Sequence, residues 1–257
     1  MNTQNTYQSW YSIFANIRFF ASLAIIVPIF FFFAYPIIYL PASWRFRSRW
    51  YYRSNSLLAR ALLFAAGIKL KIAGRELFDQ ATKEPSIIVL NHQSCIDAWV
   101  SEKLLGSQLR IMFSNDYSKI PLLGAMLRRM NIVVTRTTVR SSVEAINRAV
   151  NHAQTYGSHV VIFPEGTRHT DGNIHTFYRG FTILAEQLNR PIVPVFLHGF
   201  HKILPKGKCF FHTDTREVIL RVGKSFHFDP SKETREEFLE KVHNWFTLES
   251  CRVNKDH

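Results

Sequence analysis

The sequence has 257 residues, which fits one large domain or one domain with an appendage. Hydrophobic residues make up 47% and aromatic residues 14%, which is ample for a core. This composition excludes a disordered chain, a disulfide-stapled mini-protein and a collagen-like or simple repeat protein. The formal net charge of +13 leaves two classes of partner open, nucleic acid and an anionic membrane surface.

The position of the charge separates these two classes. Of the 32 Lys and Arg residues, nine precede Glu76, which is the first acidic residue. Residues 76–257 hold the other 23 together with all 19 acidic residues, so this part carries only +4. Binding to a nucleic-acid backbone needs a basic face on the folded domain, so nucleic acid is disfavoured as a partner. A non-catalytic module that binds nucleic acid or anionic lipid stays open as an alternative.

The excess positive charge flanks an apolar run. Residues 19–40 form 22 positions without a charge, enough for a helix to cross a bilayer core of about 30 Å. Pro28 and Pro36 allow a kinked or re-entrant helix. Aromatic and basic side chains alternate just after this run, as is typical of a membrane interface: Trp44, Arg45, Arg47, Arg49, Trp50, Tyr51, Tyr52 and Arg53. We therefore expect residues 1–75 to form a membrane anchor.

A cleaved signal peptide is the alternative for this region. The apolar run is too long for one, only Arg18 precedes it, and residues 41–43 make a poor cleavage site. The arginines that follow the run place the downstream domain on the cytoplasmic side if the segment spans. A second apolar stretch, residues 56–67, is too short to span, and we expect it to lie in the interface or to pack on the first helix. Three cysteines without zinc-site spacing also suit a reducing compartment.

Residues 76–257 alternate short β-branched runs with helical patterns. This rhythm predicts an α/β domain with a mostly parallel sheet flanked by helices. The expected strands are residues 86–90, 109–113, 132–135, 159–163 and 192–196, and the expected helices are residues 96–105, 119–130, 139–155 and 178–189. An antiparallel part is expected from residues 209–212 and 217–226, and a closing helix from residues 231–249, capped by Ser231 or Thr234. In such sheets the chemistry gathers where parallel strands end.

The first strand end carries a histidine and an aspartate. His92 follows the strand at 86–90, and Asp97 comes five residues later. The carboxylate can hold one ring nitrogen as a donor and leave the other as an acceptor for a substrate proton. The alternative is that Asn91 or Ser94 caps the next helix and His92 has no catalytic role.

Two further strand ends carry cations. Pro164-Glu165-Gly166-Thr167-Arg168 follows the strand at 159–163, and Arg136 follows the strand at 132–135. Glycine lets backbone N–H groups approach an anion, and arginine can grip a phosphate in a bidentate way. The alternatives are an ordinary turn with a solvated Arg168 and a surface role for Arg136.

Together these motifs resemble the glycerolipid acyltransferase superfamily, and most closely the bacterial 1-acyl-sn-glycerol-3-phosphate acyltransferases. The resemblance covers roughly residues 84–200 and includes the apolar N-terminus. It rests on an NHx4D motif (91–97), an arginine after an apolar strand (Arg136) preceded by Pro-x-x-Gly (121–124), FPEGTR (163–168) with a trailing F-x-x-G (177–180), and V-P-V (193–195). Thr135 departs from the family, which often has Asp there, and Ser114 and Asn115 stand where a lysine is common. Both departures lie in the region expected to bind the acceptor headgroup.

The resemblance implies acyl transfer from acyl-CoA or acyl carrier protein to the sn-2 hydroxyl of lysophosphatidic acid at a membrane, such as the bacterial inner membrane. It implies no cofactor and no metal. His92 would be the general base and Asp97 would fix its tautomer. The phosphate site would comprise Arg136, Glu165, Gly166, Thr167 and Arg168, with Glu165 orienting an arginine or a backbone donor, and the acyl path would be lined by Val193, Pro194 and Val195.

Two alternatives keep the catalytic class open. One is a hydrolase that uses Cys95, three residues after His92, as its nucleophile. The other is an acyltransferase with a different acceptor, either another lysophospholipid or an acylated amino-acid lipid.

Overall fold

A computed structural model describes residues 10–106, 108–135, 138–211 and 216–255. Within this part the chain forms an α/β domain built on a seven-stranded sheet. The strands are β1 (Lys69–Ala73), β2 (Ile87–Leu90), β3 (Leu109–Ser114), β4 (Ile132–Val134), β5 (His159–Ile162), β6 (Ile192–His198) and β7 (Glu217–Val222). Their order across the sheet is β1-β7-β6-β2-β5-β3-β4. The expected mostly parallel sheet is confirmed, because only the β6–β7 pair is antiparallel among the strand pairs described.

Helices cover both faces of this sheet. They are α1 (Trp10–Phe33), α2 (Ala42–Arg45), α3 (Arg49–Ala65), α4 (Arg75–Ala81), α5 (Asp97–Leu105), α6 (Leu123–Met130), α7 (Val139–Tyr156), α8 (Gly180–Leu188), α9 (Phe200–Ile203) and α10 (Arg235–Lys255). Alternate residues of β2 point to opposite faces: Ile88 and Leu90 join a core with α1, α3 and α5, whereas Ile87 and Val89 join a core with α7, α8 and α10. A strand buried on both faces is a continuous apolar run, which is why β2 and β5 were recognisable in the sequence.

The apolar N-terminal helix is shifted relative to the predicted run. Helix α1 begins at Trp10 and ends at Phe33, after which Tyr35–Tyr39 form a 3₁₀ turn. Pro36 lies in the first turn of that element, where its missing N–H removes a bond that would continue α1. Within α1, residues Ile13–Phe33 are long and apolar enough to span a membrane, with a mean hydropathy of 2.0.

One side of α1 packs on the domain. The Arg18 guanidinium donates through Nε to the Ala65 carbonyl at 3.0 Å, and Phe19 packs on Phe211 and Trp99. The other side is apolar and more than half exposed at Trp10, Phe14, Ile17, Ile25, Ile29, Phe32 and Phe33. The expected stretch at 56–67 lies mainly in α3, which packs between α1 and α5.

The alternating aromatic and basic residues after α1 are divided between surface and interior. Trp44 and Trp50 are 70% and 60% exposed, and Arg47, Arg49 and Arg53 are exposed as well. Tyr51 and Tyr52 are buried in a small core with Phe46 and Ile38. The two tyrosines therefore stabilise the fold instead of facing a membrane interface.

The sheet begins earlier than the boundary at residue 75/76. Strand β1 pairs in parallel with β7, from Lys69 opposite Glu217 to Ala73 opposite Arg221, so this part of the expected anchor belongs to the sheet. Its sequence KLKIA alternates exposed charged residues with partly buried apolar ones, as an outer strand does.

Two other segments differ from the expected elements. The helix expected at 119–130 is a 3₁₀ turn, Asn115–Lys119, followed by α6, because Pro121 interrupts the helix between them. Gly124 is required at this junction, since a Cβ there would lie 2.1 Å from the Ser118 carbonyl oxygen. Residues 209–211 are not a strand, and His212 lies outside the described residues. The closing helix α10 begins after Thr234, whose hydroxyl accepts from the Glu237 N–H.

Candidate active site

Adjacent strand ends bring the two main motifs together. Strands β2 and β5 are parallel neighbours, with Val89 opposite Ile162, so the loops that follow them emerge side by side. These loops carry His92 and the FPEGTR segment. Strand β6 is the neighbour of β2 on its other side and is followed by α9. The loops after β2, β5 and β6 therefore form one site at the carboxyl edge of the sheet.

His92 and Asp97 form a hydrogen-bonded pair. The distance from His92 Nδ1 to Asp97 Oδ2 is 2.8 Å, and the Asp97 side chain is completely buried at the start of α5. The same oxygen accepts the backbone N–H groups of Gln93 at 2.7 Å and Ser94 at 2.9 Å. Because a carboxylate only accepts, it favours the tautomer that carries the proton on Nδ1 and leaves Nε2 as an acceptor.

The ring of His92 is held in place from a second direction. It stacks on Phe163 with the ring centroids 4.2 Å apart, and 19% of its side chain is exposed.

Neither Asn91 nor Ser94 caps α5: the Asn91 amide bonds the backbone of Leu197 in β6, and the Ser94 hydroxyl donates to the Leu204 carbonyl. Helix capping therefore does not account for this motif.

Glu165 contacts the His92 loop directly. Its Oε1 accepts the backbone N–H of His92 at 3.2 Å, and the side chain is almost completely buried. Burial raises the pKa of Glu165 to about 8, although the bond from His92 opposes this shift. The carboxyl group is thus mainly neutral at neutral pH. Of the partners expected for Glu165, the structure identifies a backbone donor.

Gly166, Thr167 and Arg168 complete the turn after β5. Gly166 has a φ of +73°, and its N–H donates to the Phe163 carbonyl at 3.1 Å. Thr167 is exposed, and Arg168 is half-buried with its guanidinium 5.8 Å from the Tyr117 ring centroid. Arg136, the other expected cation, lies outside the described residues.

Cys95 has the wrong environment for a nucleophile. Burial raises the pKa of its thiol, although nearby Arg168 acts in the opposite direction. A thiol must ionise to attack, so this shift argues against the Cys95 hydrolase.

Val193, Pro194 and Val195 lie in the interior of β6. Both valines have no exposed surface and belong to the core on the side of α1, α3 and α5. Pro194 is paired with Val89 of β2. Strand β6 thus pairs with the strand that carries the His92 loop, and the acyl path expected along these three residues stays a prediction.

Several contacts in the site join residues that are distant in sequence. The His169 N–H donates to the His92 carbonyl at 3.1 Å, and the His169 ring stacks on His175. From the side of β6, His201 bonds the Gln93 amide oxygen at 3.3 Å and Lys206 donates to Thr167 Oγ1 at 2.8 Å. None of these pairs has a sequence spacing that indicates its contact. Within the described ranges, no group of three His, Cys, Asp or Glu side chains is arranged to hold a metal ion.

Comparison with known proteins places this geometry in a family. Residues 69–198 match the Acyltransferase family. The chain belongs to that family. The matched segment runs from the first residue of β1 to the last residue of β6, so it includes the strands that carry His92, Asp97 and the FPEGTR turn.

Named relatives of this acyltransferase-family chain are 1-acyl-sn-glycerol-3-phosphate acyltransferases. A chloroplast protein of Brassica napus is 33% identical over 138 residues, which cover 52% of this chain and 40% of the relative. A Pseudomonas aeruginosa protein is 27% identical over 199 residues, covering 76% and 73%. The chain spans about half the length of the first curated relatives it matches, between 40% and 53%.

A solved structure shares the whole fold. The crystal structure of the 1-acyl-sn-glycerophosphate acyltransferase PlsC from Thermotoga maritima superposes with a TM-score of 0.76, covering 95% of this chain and 96% of that one. The identity is 19%, so the likeness establishes the fold alone.

Proposed function

We propose that this chain transfers an acyl group from acyl-CoA or acyl carrier protein to the sn-2 hydroxyl of lysophosphatidic acid, which gives phosphatidic acid. The observation that carries the proposal is the buried His92–Asp97 pair beside the FPEGTR turn in a chain of the Acyltransferase family. The names of its relatives supply the acceptor.

His92 acts as the general base in this mechanism. Its Nε2 takes the proton of the acceptor hydroxyl while the hydroxyl oxygen attacks the thioester carbonyl carbon. The carbon–sulfur bond then breaks, and His92 returns the proton to the departing thiolate. An ester and a free thiol result, without an acyl-enzyme and without a cofactor. General base catalysis of this kind contributes roughly 10²–10⁴ to the rate.

Arg168 and Thr167 bind the acceptor phosphate together with Arg136, and Gly166 with its positive φ shapes the turn that presents Thr167 and Arg168. A guanidinium matches phosphate in a bidentate geometry, and the half-buried position of Arg168 limits screening by solvent. Glu165 acts indirectly, because its hydrogen bond from the His92 N–H connects the FPEGTR turn to the loop that carries His92.

The enzyme works at a membrane that supplies its lysolipid. The exposed apolar side of α1 and the exposed arginines after it support this location. The catalytic domain lies on the cytoplasmic side, in a bacterium at the inner membrane, and nucleic acid is not a partner.

The test is the activity of the purified full chain on lysophosphatidic acid with each donor, followed as release of free thiol. We expect phosphatidic acid as the product. His92→Ala and Asp97→Ala should lose turnover by roughly 10²-fold or more with near-normal acceptor affinity, whereas Arg168→Ala should raise the acceptor KM sharply.

The same assay separates the alternatives. Thiol release with another lysophospholipid or a lyso-amino-acid lipid, but not with lysophosphatidic acid, would assign a different acceptor. Vesicle binding without thiol release on any acceptor would indicate a non-catalytic lipid-binding protein. An active His92→Ala variant would refute the mechanism.

A further inference from the structure

Lys206 lies at the tip of a tight turn beside the candidate active site. The turn spans Pro205 to Lys208, whose N–H donates to the Pro205 carbonyl at 3.2 Å. Gly207 occupies the third position with a φ of +82°, as the type II turn requires. The turn follows α9 and therefore approaches the site from the side of β6.

The ammonium group of Lys206 points to the FPEGTR turn. Its Nζ donates to Thr167 Oγ1 at 2.8 Å, and Thr167 stands between Gly166 and Arg168. Both Lys206 and Thr167 are exposed, so a ligand can reach them. No carboxylate among the residues described pairs with Lys206 within 4.0 Å, so its positive charge is not neutralised by an ion pair.

A phosphate monoester carries more negative charge than one guanidinium balances, and of the two arginines proposed to bind it only Arg168 lies among the described residues. Such a group carries about −1.5 to −2 charges at neutral pH. The neighbouring end of β3 offers Ser114, Asn115 and Asp116, and the nearest lysine there, Lys119, faces Asp116 at 4.0 Å. Lys206 is the described lysine that contacts the FPEGTR turn itself.

We propose that Lys206 binds the phosphate of the acceptor together with Arg168, and so selects lysolipids with a phosphomonoester headgroup. Thr167 holds the ammonium in place until the phosphate replaces or joins it. Arg168 donates hydrogen bonds to two phosphate oxygens, and Lys206 adds a positive charge from the turn that follows α9. This assignment rests on the proposed acyl transfer and names a specificity-determining residue for it.

The test compares Lys206→Ala, Lys206→Arg and a matched control, Lys208→Ala, which removes an exposed lysine from the same turn. We expect Lys206→Ala to raise the KM for lysophosphatidic acid by about tenfold while kcat changes by less than about twofold. The KM of Lys206→Arg should stay within about threefold of the wild-type KM. The KM of Lys208→Ala should equal the wild-type KM. The KM of the wild type should also rise more steeply with salt than that of Lys206→Ala.

The outcomes distinguish this inference from the proposed function. An unchanged KM and salt dependence in Lys206→Ala, with the wild type active on lysophosphatidic acid, would overturn the role of Lys206 alone. An equal loss in Lys208→Ala would do the same, because it would show a general effect of surface charge. A wild type that acylates only acceptors without a phosphomonoester would overturn both.

Discussion

Glu165 shows how one buried carboxyl group joins the two loops of the site. It accepts the His92 N–H and stands directly before the glycine and the two polar residues expected to bind phosphate. Burial keeps the group neutral at neutral pH, since it raises the pKa from an ordinary 4.5 to about 8. A charged glutamate here would repel a phosphate, whereas a neutral one still accepts a hydrogen bond.

The raised pKa of Glu165 predicts a pH-dependent stability difference. Between about pH 5 and 8 the unfolded chain has released this proton and the folded protein retains it, so the contribution of Glu165 to stability falls as the pH rises. Glu165→Gln cannot ionise. We expect the variant to gain in free energy of unfolding relative to the wild type as the pH rises across this range, measured by urea unfolding in detergent.

The comparison needs a control for the loss of a carboxyl group in general. Glu144→Gln removes an exposed carboxyl from α7, and we expect it to change the free energy of unfolding by less than about 0.5 kcal/mol. The partly buried His152 and the buried His159 titrate in every variant, so their contributions to the free energy of unfolding cancel in the differences. If the difference in free energy of unfolding between Glu165→Gln and the wild type does not change from pH 5 to 8, the pKa of Glu165 is not raised.

Strands and helices of the central sheet could be predicted because their local sequence determines them. A parallel strand buried on both faces must be apolar throughout, and the runs at β2, β5 and β6 have no other plausible placement. Strand β1 was not predicted, because its alternate lysines make it resemble the basic segment that precedes it. Its place in the sheet depends on β7, almost 150 residues later, and pairing at that distance leaves no local signal.

Helix α1 is fastened to the domain by a polar contact. The Asn16 amide donates to the Phe211 carbonyl at 3.1 Å, and its oxygen accepts the Phe211 N–H at 2.9 Å. Both residues are buried, so removing the amide leaves two backbone groups without these partners. We expect Asn16→Ala to lower the free energy of unfolding by about 1–3 kcal/mol and to speed cleavage of α1 from the domain in limited proteolysis.

Asn151→Ala is the matched control for this prediction. Asn151 is exposed on α7, and its replacement by alanine should change the free energy of unfolding by less than about 0.5 kcal/mol. If Asn16→Ala unfolds and is cleaved like the wild type, the contact with Phe211 does not hold α1 on the domain.

The candidate site could be predicted only as far as its motifs extend along the chain. His92 and Asp97 are five residues apart, and their contact follows from one strand-to-helix turn. The contacts from His201 to Gln93 and from Lys206 to Thr167 arise because β6 lies next to β2, which only the strand order of the whole sheet determines. The cation that completes the proposed phosphate site therefore belongs to no sequence motif.

The net charge of +13 divides into nine basic residues before Glu76 and a net charge of +4 on residues 76–257. In the segment that follows α1, the exposed side chains include Trp44, Trp50, Arg47, Arg49 and Arg53. Tryptophan and arginine together favour the headgroup region, and each exposed cation contributes about 1 kcal/mol of attraction to anionic lipid. Binding to such lipid should therefore depend on salt and on these arginines.

We expect the triple variant Arg47→Gln/Arg49→Gln/Arg53→Gln to bind vesicles containing phosphatidylserine roughly 10²-fold more weakly than the wild type in cosedimentation. Binding to pure phosphatidylcholine vesicles should change little, because the apolar side of α1 and both tryptophans remain. Lys224→Gln/Lys232→Gln/Lys255→Gln removes the same charge from exposed sites near and within the C-terminal helix, so it should bind like the wild type. Equal weakening by the two triple variants would mean that total charge, and not this surface, drives attachment.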